Sequence, residues 1–150
     1  MVDAGVTYWL TPVAKEGPRT PLEVVRRLVV EQQVFAIGEV ADKKSQLQPG
    51  DRICFYATRC VGVVADARVA SRPSFTQNGD RTDHGTFPYV FDLDEVRAYL
   101  DRPILIDREL RGRLDAFAGR DPDGPFAFFV MGLHRVSERD FGLLTRASDS

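Results

Sequence analysis

Residues 50–71 constrain the fold of this chain more than any other part of its sequence. A Pro-Gly-Asp turn precedes a strand-forming run over residues 52–58. After the short connection Arg59-Cys60, the mostly apolar run over residues 61–70 predicts a second, longer strand that is buried on both faces or closes a barrel. Gly62 within this run indicates a bend or a close approach of another segment. The sequence therefore predicts a long, buried β-hairpin.

Other strands and helices flank this hairpin on both sides. Residues 6–11 are rich in β-formers and predict a first strand that ends before Pro12. A helix is predicted to begin at Thr20 and to run to about Glu31. Its start is indicated by the proline that follows Thr20 and by Glu23, three residues after Thr20, which completes a capping box. Residues 34–37 predict a short second strand.

The second half of the chain alternates turns, strands and short helices. Residues 71–86 are rich in turn formers and form the least ordered-looking part. Strands are predicted over residues 87–93 and 126–136, and a helix capped by Asp107 is predicted over residues 108–117. Ser137 caps a short C-terminal helix, and we expect a disordered tail over residues 146–150.

This order predicts one α+β domain over residues 1–150. Five to six strands would form a mixed, strongly curved β-barrel, with about three short helices beside it. The irregular helix insertions do not match the regular β-α-β alternation of a doubly wound sheet. The chain has no run of apolar residues long enough to span a bilayer and no secretory signal, so we expect a cytoplasmic protein.

Motifs that carry chemistry are sparse. Asp80, Asp83 and His84 have metal-ligating side chains, but in a turn-rich segment such residues are typical of solvent-exposed turns. The sequence has no Gly-x-Ser-x-Gly and no phosphate-cradling loop, and Cys54 and Cys60 lack zinc-site spacing. We expect no enzyme activity, no metal and no cofactor. The net charge of −2 disfavours a nonspecific nucleic-acid binder but allows a local basic patch.

Several segments together resemble the EVE domain, a family of the PUA-like superfamily related to YTH-type readers of modified bases. The resemblance covers most of the chain, and its parts come in the family's order: Tyr8-Trp9-Leu10, residues 34–38, residues 47–56, residues 61–64, residues 67–69, residues 87–91, Phe128-Phe129 and residues 136–141. Many relatives carry tryptophan where this chain has Phe35 and Phe126, and such changes widen or reshape a pocket. The resemblance implies binding of a modified base in DNA or RNA.

A base held outside a helix needs an aromatic face for stacking and polar groups that read its edge. Trp9 and Phe35 are the candidate stacking walls, and Tyr56 and Thr11 are the candidate edge or wall contacts, with Ile37 beside them. Core packing is an equally good interpretation of Trp9 and Phe35, and Thr11 is also compatible with a plain strand residue. Because strand side chains alternate, Phe55 belongs to the core if Tyr56 faces the pocket.

Lys43, Lys44 and Arg59 are the candidate phosphate contacts, although such residues also occur on solvated surfaces. The expected partner is RNA or DNA that carries a modified base. A sensor of a free nucleoside-like molecule and a protein-interaction module remain alternatives. Binding to an oligonucleotide weakens steeply with salt, whereas binding of a neutral nucleoside does not. The sequence does not decide which base is bound, or whether RNA or DNA carries it.

Overall fold

The computed structural model describes residues 6–13, 18–37, 47–58, 62–75, 89–121, 123–124 and 132–145. The strands are β1 (Tyr8–Val13), β2 (Val34–Ile37), β3 (Arg52–Ala57), β4 (Gly62–Val69), β5 (Ser74–Phe75), β6 (Tyr89–Ala98), β7 (Ile104–Leu105) and β8 (His134–Val136). The helices are α1 (Pro21–Val24) with a π-helical continuation (Val25–Glu31), α2 (Arg108–Arg113), a 3₁₀ turn (Asp115–Phe117) and α3 (Glu138–Leu144).

Within the described residues, one mixed sheet runs in the order β2-β6-β4-β3-β1-β8, with β5 beside β6 and β7 beside β4. Every pair is antiparallel except β1 and β3, which run parallel. The register shifts in β3 beside Phe55 and in β4 beside Asp66, and Glu95 in β6 has a φ of 48°. Such irregularities bend and twist strands. The predicted α+β fold with a strongly curved mixed sheet is confirmed.

The central hairpin is formed by β3 and β4, as the sequence predicts. The turn before β3 needs glycine, because Gly50 has a φ of +98°. A Cβ atom on Gly62 would lie 2.9 Å from the carbonyl oxygen of Ile104, so β7 approaches the backbone closely at this position. The close approach predicted at Gly62 is therefore confirmed.

The first strand continues through Pro12, contrary to the prediction that it ends before this residue. On the β3 side, the odd-numbered residues of β1 carry the hydrogen bonds, since the carbonyl oxygens of Thr7 and Val13 accept from Arg52 and Thr58. The nitrogen of Pro12 therefore points towards the β8 side, where pairing ends at Leu10. Its missing N–H removes no ladder bond, so the strand tolerates it.

Two segments of the second half are shorter than predicted. Helix α2 ends at Arg113, and the 3₁₀ turn follows as a separate element because the buried carboxylate of Asp140 accepts from the backbone N–H groups of Asp115 (2.7 Å) and Ala116 (3.0 Å). The last strand begins at His134, whereas Gly132 has a φ of +68° and lies outside any strand. Residues 126–131 of the predicted strand lie outside the described residues.

The sheet separates two groups of buried side chains. The first, which we call the Trp9 face, packs against α1, its π-helical continuation and β2: its members include Trp9, Phe35, Ile37, Ile53, Phe55 and Phe91. The second, which we call the Tyr56 face, packs against α2, the 3₁₀ turn and α3: its members include Leu10, Cys54, Tyr56, Ile106, Leu110 and Phe141. None of the helices in the described ranges is long and apolar enough to cross a membrane.

Candidate functional site

Trp9, the second residue of β1, is held in a fixed position. Its side chain is fully buried, and its indole Nε1 donates to Oδ2 of Asp51 at 3.0 Å. The carboxylate of Asp51 also accepts from the backbone N–H groups of Thr7 and Gln48, both at 3.1 Å. Asp51 is itself 1% exposed, and its bond to the Trp9 indole is buried, whereas its bonds to the Thr7 and Gln48 N–H groups are partly buried. The Pro-Gly-Asp turn therefore positions the only tryptophan of the chain.

Three other predicted pocket residues share the Trp9 face. Phe35 and Ile37 are buried on β2, and the ring of Phe35 packs edge-on against Phe55 with 5.0 Å between the ring centroids. Thr11 lies on this face because it follows Trp9 by two residues, and its register partner is Phe55. Its buried hydroxyl donates to the carbonyl oxygen of Pro12 at 3.4 Å, which is long for such a bond.

The structure does not bring Tyr56 together with these residues. In the parallel pair of β1 and β3, Tyr56 is in register with Pro12, and it packs with Leu10 and Cys54 on the opposite side of the sheet. Burial raises the pKa of the Tyr56 phenol, and the nearby Arg111 opposes this shift. Its hydroxyl has no hydrogen-bond partner within the described chain. The sequence shows that Phe55 and Tyr56 point in opposite directions, but only the register decides which of them accompanies Trp9.

Arg135 is a residue that the sequence analysis does not single out. It is the register partner of Trp9 on β8, and its guanidinium carbon lies 5.7 Å from the centroid of the Trp9 ring. This distance falls within the range of cation–π interactions. Arg135 is exposed, and in the described ranges it forms no ion pair. The buried Val136 beside it is a local signal that Arg135 points to the other face, but only the pairing places it over Trp9.

A groove of about 370 Å³ opens beside Arg135, and its walls include Asp115, Arg120, His134, Arg135, Ser137 and Asp140. Its two carboxylates already have partners. Asp115 accepts from the hydroxyl of Ser137 and from the guanidinium of Arg139, both at 3.0 Å. The buried Asp140 accepts from two backbone N–H groups. Among the described residues, in contrast, the guanidinium of Arg135 has no carboxylate partner and lies over the ring of Trp9.

A second groove, of about 430 Å³, is lined by Arg52, Glu95, Val96 and Arg97. Its cations are engaged by carboxylates: Arg52 pairs with Glu95 at 2.9 Å, and Arg97 pairs with the fully buried Asp66 at 3.0 Å. Because each arginine here already has a carboxylate partner, this groove is less suited to binding an anion than the groove beside Arg135.

Other predicted residues can be placed only in part. Lys43, Lys44 and Arg59 lie outside the described residues, as do Cys60 and the cluster of Asp80, Asp83 and His84. Cys54 is fully buried on the Tyr56 face. This burial is the main cause that raises the pKa of its thiol, and the negative charge of the nearby Asp66 carboxylate raises it further. In the part of the chain that is described, no three metal-ligating side chains come together.

No protein-family model and no curated protein sequence matches the chain. Several solved structures are similar to it over nearly its full length. The YTH domain of Zygosaccharomyces rouxii MRB1, solved with N6-methyladenosine RNA, is 12% identical, with a TM-score of 0.64, over 93% of this chain and 84% of that one. Human THYN1, solved with DNA that contains 5-methylcytosine, is 13% identical, with a TM-score of 0.57, over 91% and 94%.

A third, a hypothetical protein from Leishmania major, is 16% identical, with a TM-score of 0.59, over 96% of this chain and 95% of that one. At these identities the likeness establishes the fold. The predicted PUA-like fold, of the kind found in EVE and YTH domains, is therefore confirmed.

Proposed function

We propose that this chain is a non-enzymatic nucleic-acid-binding domain that holds a modified or flipped base of RNA or DNA on the Trp9 face. One observation carries the proposal: the fold is shared with two proteins that were solved with methylated RNA and with methylated DNA. The groove beside β8, where Arg135 lies over the Trp9 ring and forms no ion pair within the described residues, supports the same function.

Trp9, Phe35, Thr11 and Ile37 would form the pocket. Asp51 fixes the Trp9 ring, so stacking requires no reorientation of that ring, and a preorganised wall lowers the cost of binding. Within the described residues, the Thr11 hydroxyl forms a single, long bond to the Pro12 carbonyl oxygen, and it can exchange this bond for one to a base edge. Lys43, Lys44 and Arg59 remain candidate phosphate contacts. Tyr56 is not part of this pocket, because it packs on the opposite side of the sheet from Trp9.

A fluorescence titration of Trp9 tests the proposal, since this is the only tryptophan. The ligands are N6-methyladenosine and 5-methyldeoxycytidine, each free and within a short single strand, with the unmodified strand as the control. We expect a methylated strand to quench Trp9 and to bind more tightly than its unmodified form, with binding that weakens as salt rises. Binding of the free nucleoside alone, unaffected by salt, would indicate a small-molecule sensor. Absence of binding in every case would overturn the proposal.

A matched pair of variants locates the pocket on one face. Thr11→Val removes a hydroxyl from the Trp9 face, and Tyr56→Phe removes one from the Tyr56 face. We expect Thr11→Val to weaken binding of the methylated strand by about two- to tenfold, as for one lost hydrogen bond, and Tyr56→Phe to leave it unchanged. The reverse pattern would place the ligand on the Tyr56 face.

A further inference from the structure

The guanidinium of Arg135 occupies the position over Trp9 that a stacking base would need. Trp9 is fully buried in the structure, and Arg135 is the exposed side chain that lies over its ring. Strand β8 is the last strand of the described sheet and pairs only with β1, over three residues. A base that stacks on this ring from the side of Arg135 must therefore displace the Arg135 side chain.

The displaced guanidinium has a second use within the same groove. It is always charged at physiological pH, and its planar fork matches phosphate oxygens. The acidic groups that line the groove do not compete for it strongly, because Asp115 is paired with Arg139 and Ser137, and Asp140 with backbone N–H groups. Arg120 lines the same groove and adds positive charge. The volume of about 370 Å³ lies within the range of small-ligand sites.

We propose that Arg135 covers the Trp9 ring in the free protein and, when a base stacks there, moves to bind a phosphate of the same strand. This inference rests on the proposed function and adds a residue and a mechanism to it. The exchange replaces a cation–π contact with a charge-assisted hydrogen bond. It favours a base within a strand over the same base as a free nucleoside, because only the strand supplies the phosphate.

Arg135→Ala should therefore have opposite effects on the two kinds of ligand. The strand loses a phosphate contact, so its affinity should fall about three- to tenfold, and the slope of log K against log salt should decrease by about 0.7. The free nucleoside no longer has to displace the guanidinium, so its affinity should rise about two- to fivefold. Arg135→Lys keeps a charge without the planar fork. Its affinity for the strand should therefore lie between those of wild type and Arg135→Ala.

The matched control is Arg26→Ala. Arg26 is an exposed arginine on the π-helical segment and lines neither groove, so both ligands should bind this variant as they bind wild type. A measurement without ligand accompanies the titrations. Acrylamide should quench Trp9 more strongly in Arg135→Ala than in wild type or in Arg26→Ala, with thermal unfolding used to verify that each variant is folded.

The outcomes separate this inference from the proposed function. Opposite shifts for strand and nucleoside, together with increased acrylamide quenching, support the exchange. If wild type binds a methylated strand, but Arg135→Ala shifts the affinities for strand and nucleoside in the same direction or shifts neither, the role given to Arg135 is wrong and the proposed function stands. Unchanged acrylamide quenching likewise overturns the covering role. If wild type binds no methylated strand and no nucleoside, both proposals fall.

Discussion

The two faces of the sheet each bury one aromatic side chain that carries a polar group, and the two polar groups differ in their hydrogen bonding. On the Trp9 face, the indole N–H donates to Asp51, which also accepts from two backbone N–H groups. On the Tyr56 face, the phenolic hydroxyl has no hydrogen-bond partner within the described chain, although the side chain is only 4% exposed. Buried polar groups without partners are uncommon in native proteins.

The difference indicates which of the two aromatic rings has its orientation set by a hydrogen bond as well as by packing. Trp9 is fixed by packing and by a directional bond to a residue 42 positions away. Within the described residues, Tyr56 is held by packing without a directional bond, and its neighbours include Leu10, Cys54 and Phe141. A stacking wall benefits from a defined ring orientation. The Trp9 face is therefore the better candidate for ligand recognition, and substitutions on the two faces test this contrast.

The largest effect is expected for Asp51→Ala. This change leaves three N–H donors without their acceptor: the buried indole N–H of Trp9 and the partly buried backbone N–H groups of Thr7 and Gln48. We expect a loss of about 2–4 kcal/mol in the free energy of unfolding, because an unsatisfied buried donor costs about 1–3 kcal/mol and the two partly buried donors, which water can reach, cost less. Urea unfolding measures the loss, and a red shift of the Trp9 emission reports its release.

Asp51→Asn is the matched control for this change. It keeps the size of the side chain and one acceptor oxygen, so we expect it to retain some of the bonds and to cost about 1–3 kcal/mol. If Asp51→Ala cost less than about 1 kcal/mol and left the Trp9 emission unchanged, the directional bond would not distinguish the two faces.

Local features of this fold are predictable from the sequence because their partners lie within a few residues. The capping box at Thr20 forms as predicted, with Glu23 Oε1 accepting from the Thr20 N–H at 2.9 Å. Asp107 and Ser137 cap their helices in the same way. The hairpin of β3 and β4 and the turn at Gly50 are also local, and both are confirmed.

The arrangement of the candidate site depends on contacts that no local pattern encodes. The parallel register of β1 and β3 places Thr11 opposite Phe55, and so separates Tyr56 from Trp9. The pairing of β1 with β8 brings Arg135 over Trp9 from a position 126 residues later in the chain. Alternation within each strand was predictable, but the face that each strand turns to its neighbours is a property of the assembled sheet.

A smaller effect is expected for the ion pair that joins β4 and β6 across the sheet. Arg68 Nε and Nη2 donate to the two carboxylate oxygens of Asp94 at 2.7 and 2.6 Å. These hydrogen bonds lower the pKa of Asp94. Because the side chains are 41% and 38% exposed, solvent screens the pair, and we expect Asp94→Asn to cost about 0.5–1 kcal/mol at pH 7.

The pH dependence follows from the direction of the Asp94 shift. A carboxyl group with a lowered pKa stabilises the folded state above its ordinary pKa of about 3.9 and loses this contribution as pH falls towards its folded-state pKa. The difference between wild type and Asp94→Asn in urea unfolding should therefore be present at pH 7 and shrink below about pH 4. Asp101→Asn, at an exposed loop position, is the control and should show no such difference.

The smallest effect is expected for Tyr56→Phe, and it tests the comparison of the two faces most directly. The Tyr56 hydroxyl has no partner to lose in the described chain, so the free energy of unfolding at pH 7 should stay within about 0.5 kcal/mol of wild type. Thermal or urea unfolding measures this difference. A cost above about 1 kcal/mol would mean that the hydroxyl is bonded in solution and that the Tyr56 face is as well specified as the Trp9 face.

At high pH the same variant should become the more stable of the two. Burial raises the pKa of the Tyr56 phenol, so the folded state favours the neutral form. The contribution of this preference to the free energy of unfolding is complete below the ordinary pKa of about 10. It declines as pH rises through the raised pKa of the folded state. Tyr56→Phe removes this loss. The buried Cys54 thiol also has a raised pKa and destabilises both proteins on the alkaline side. Only the difference between wild type and Tyr56→Phe therefore reports the phenol, and a difference that grows in favour of wild type above pH 10 would contradict its burial without a partner.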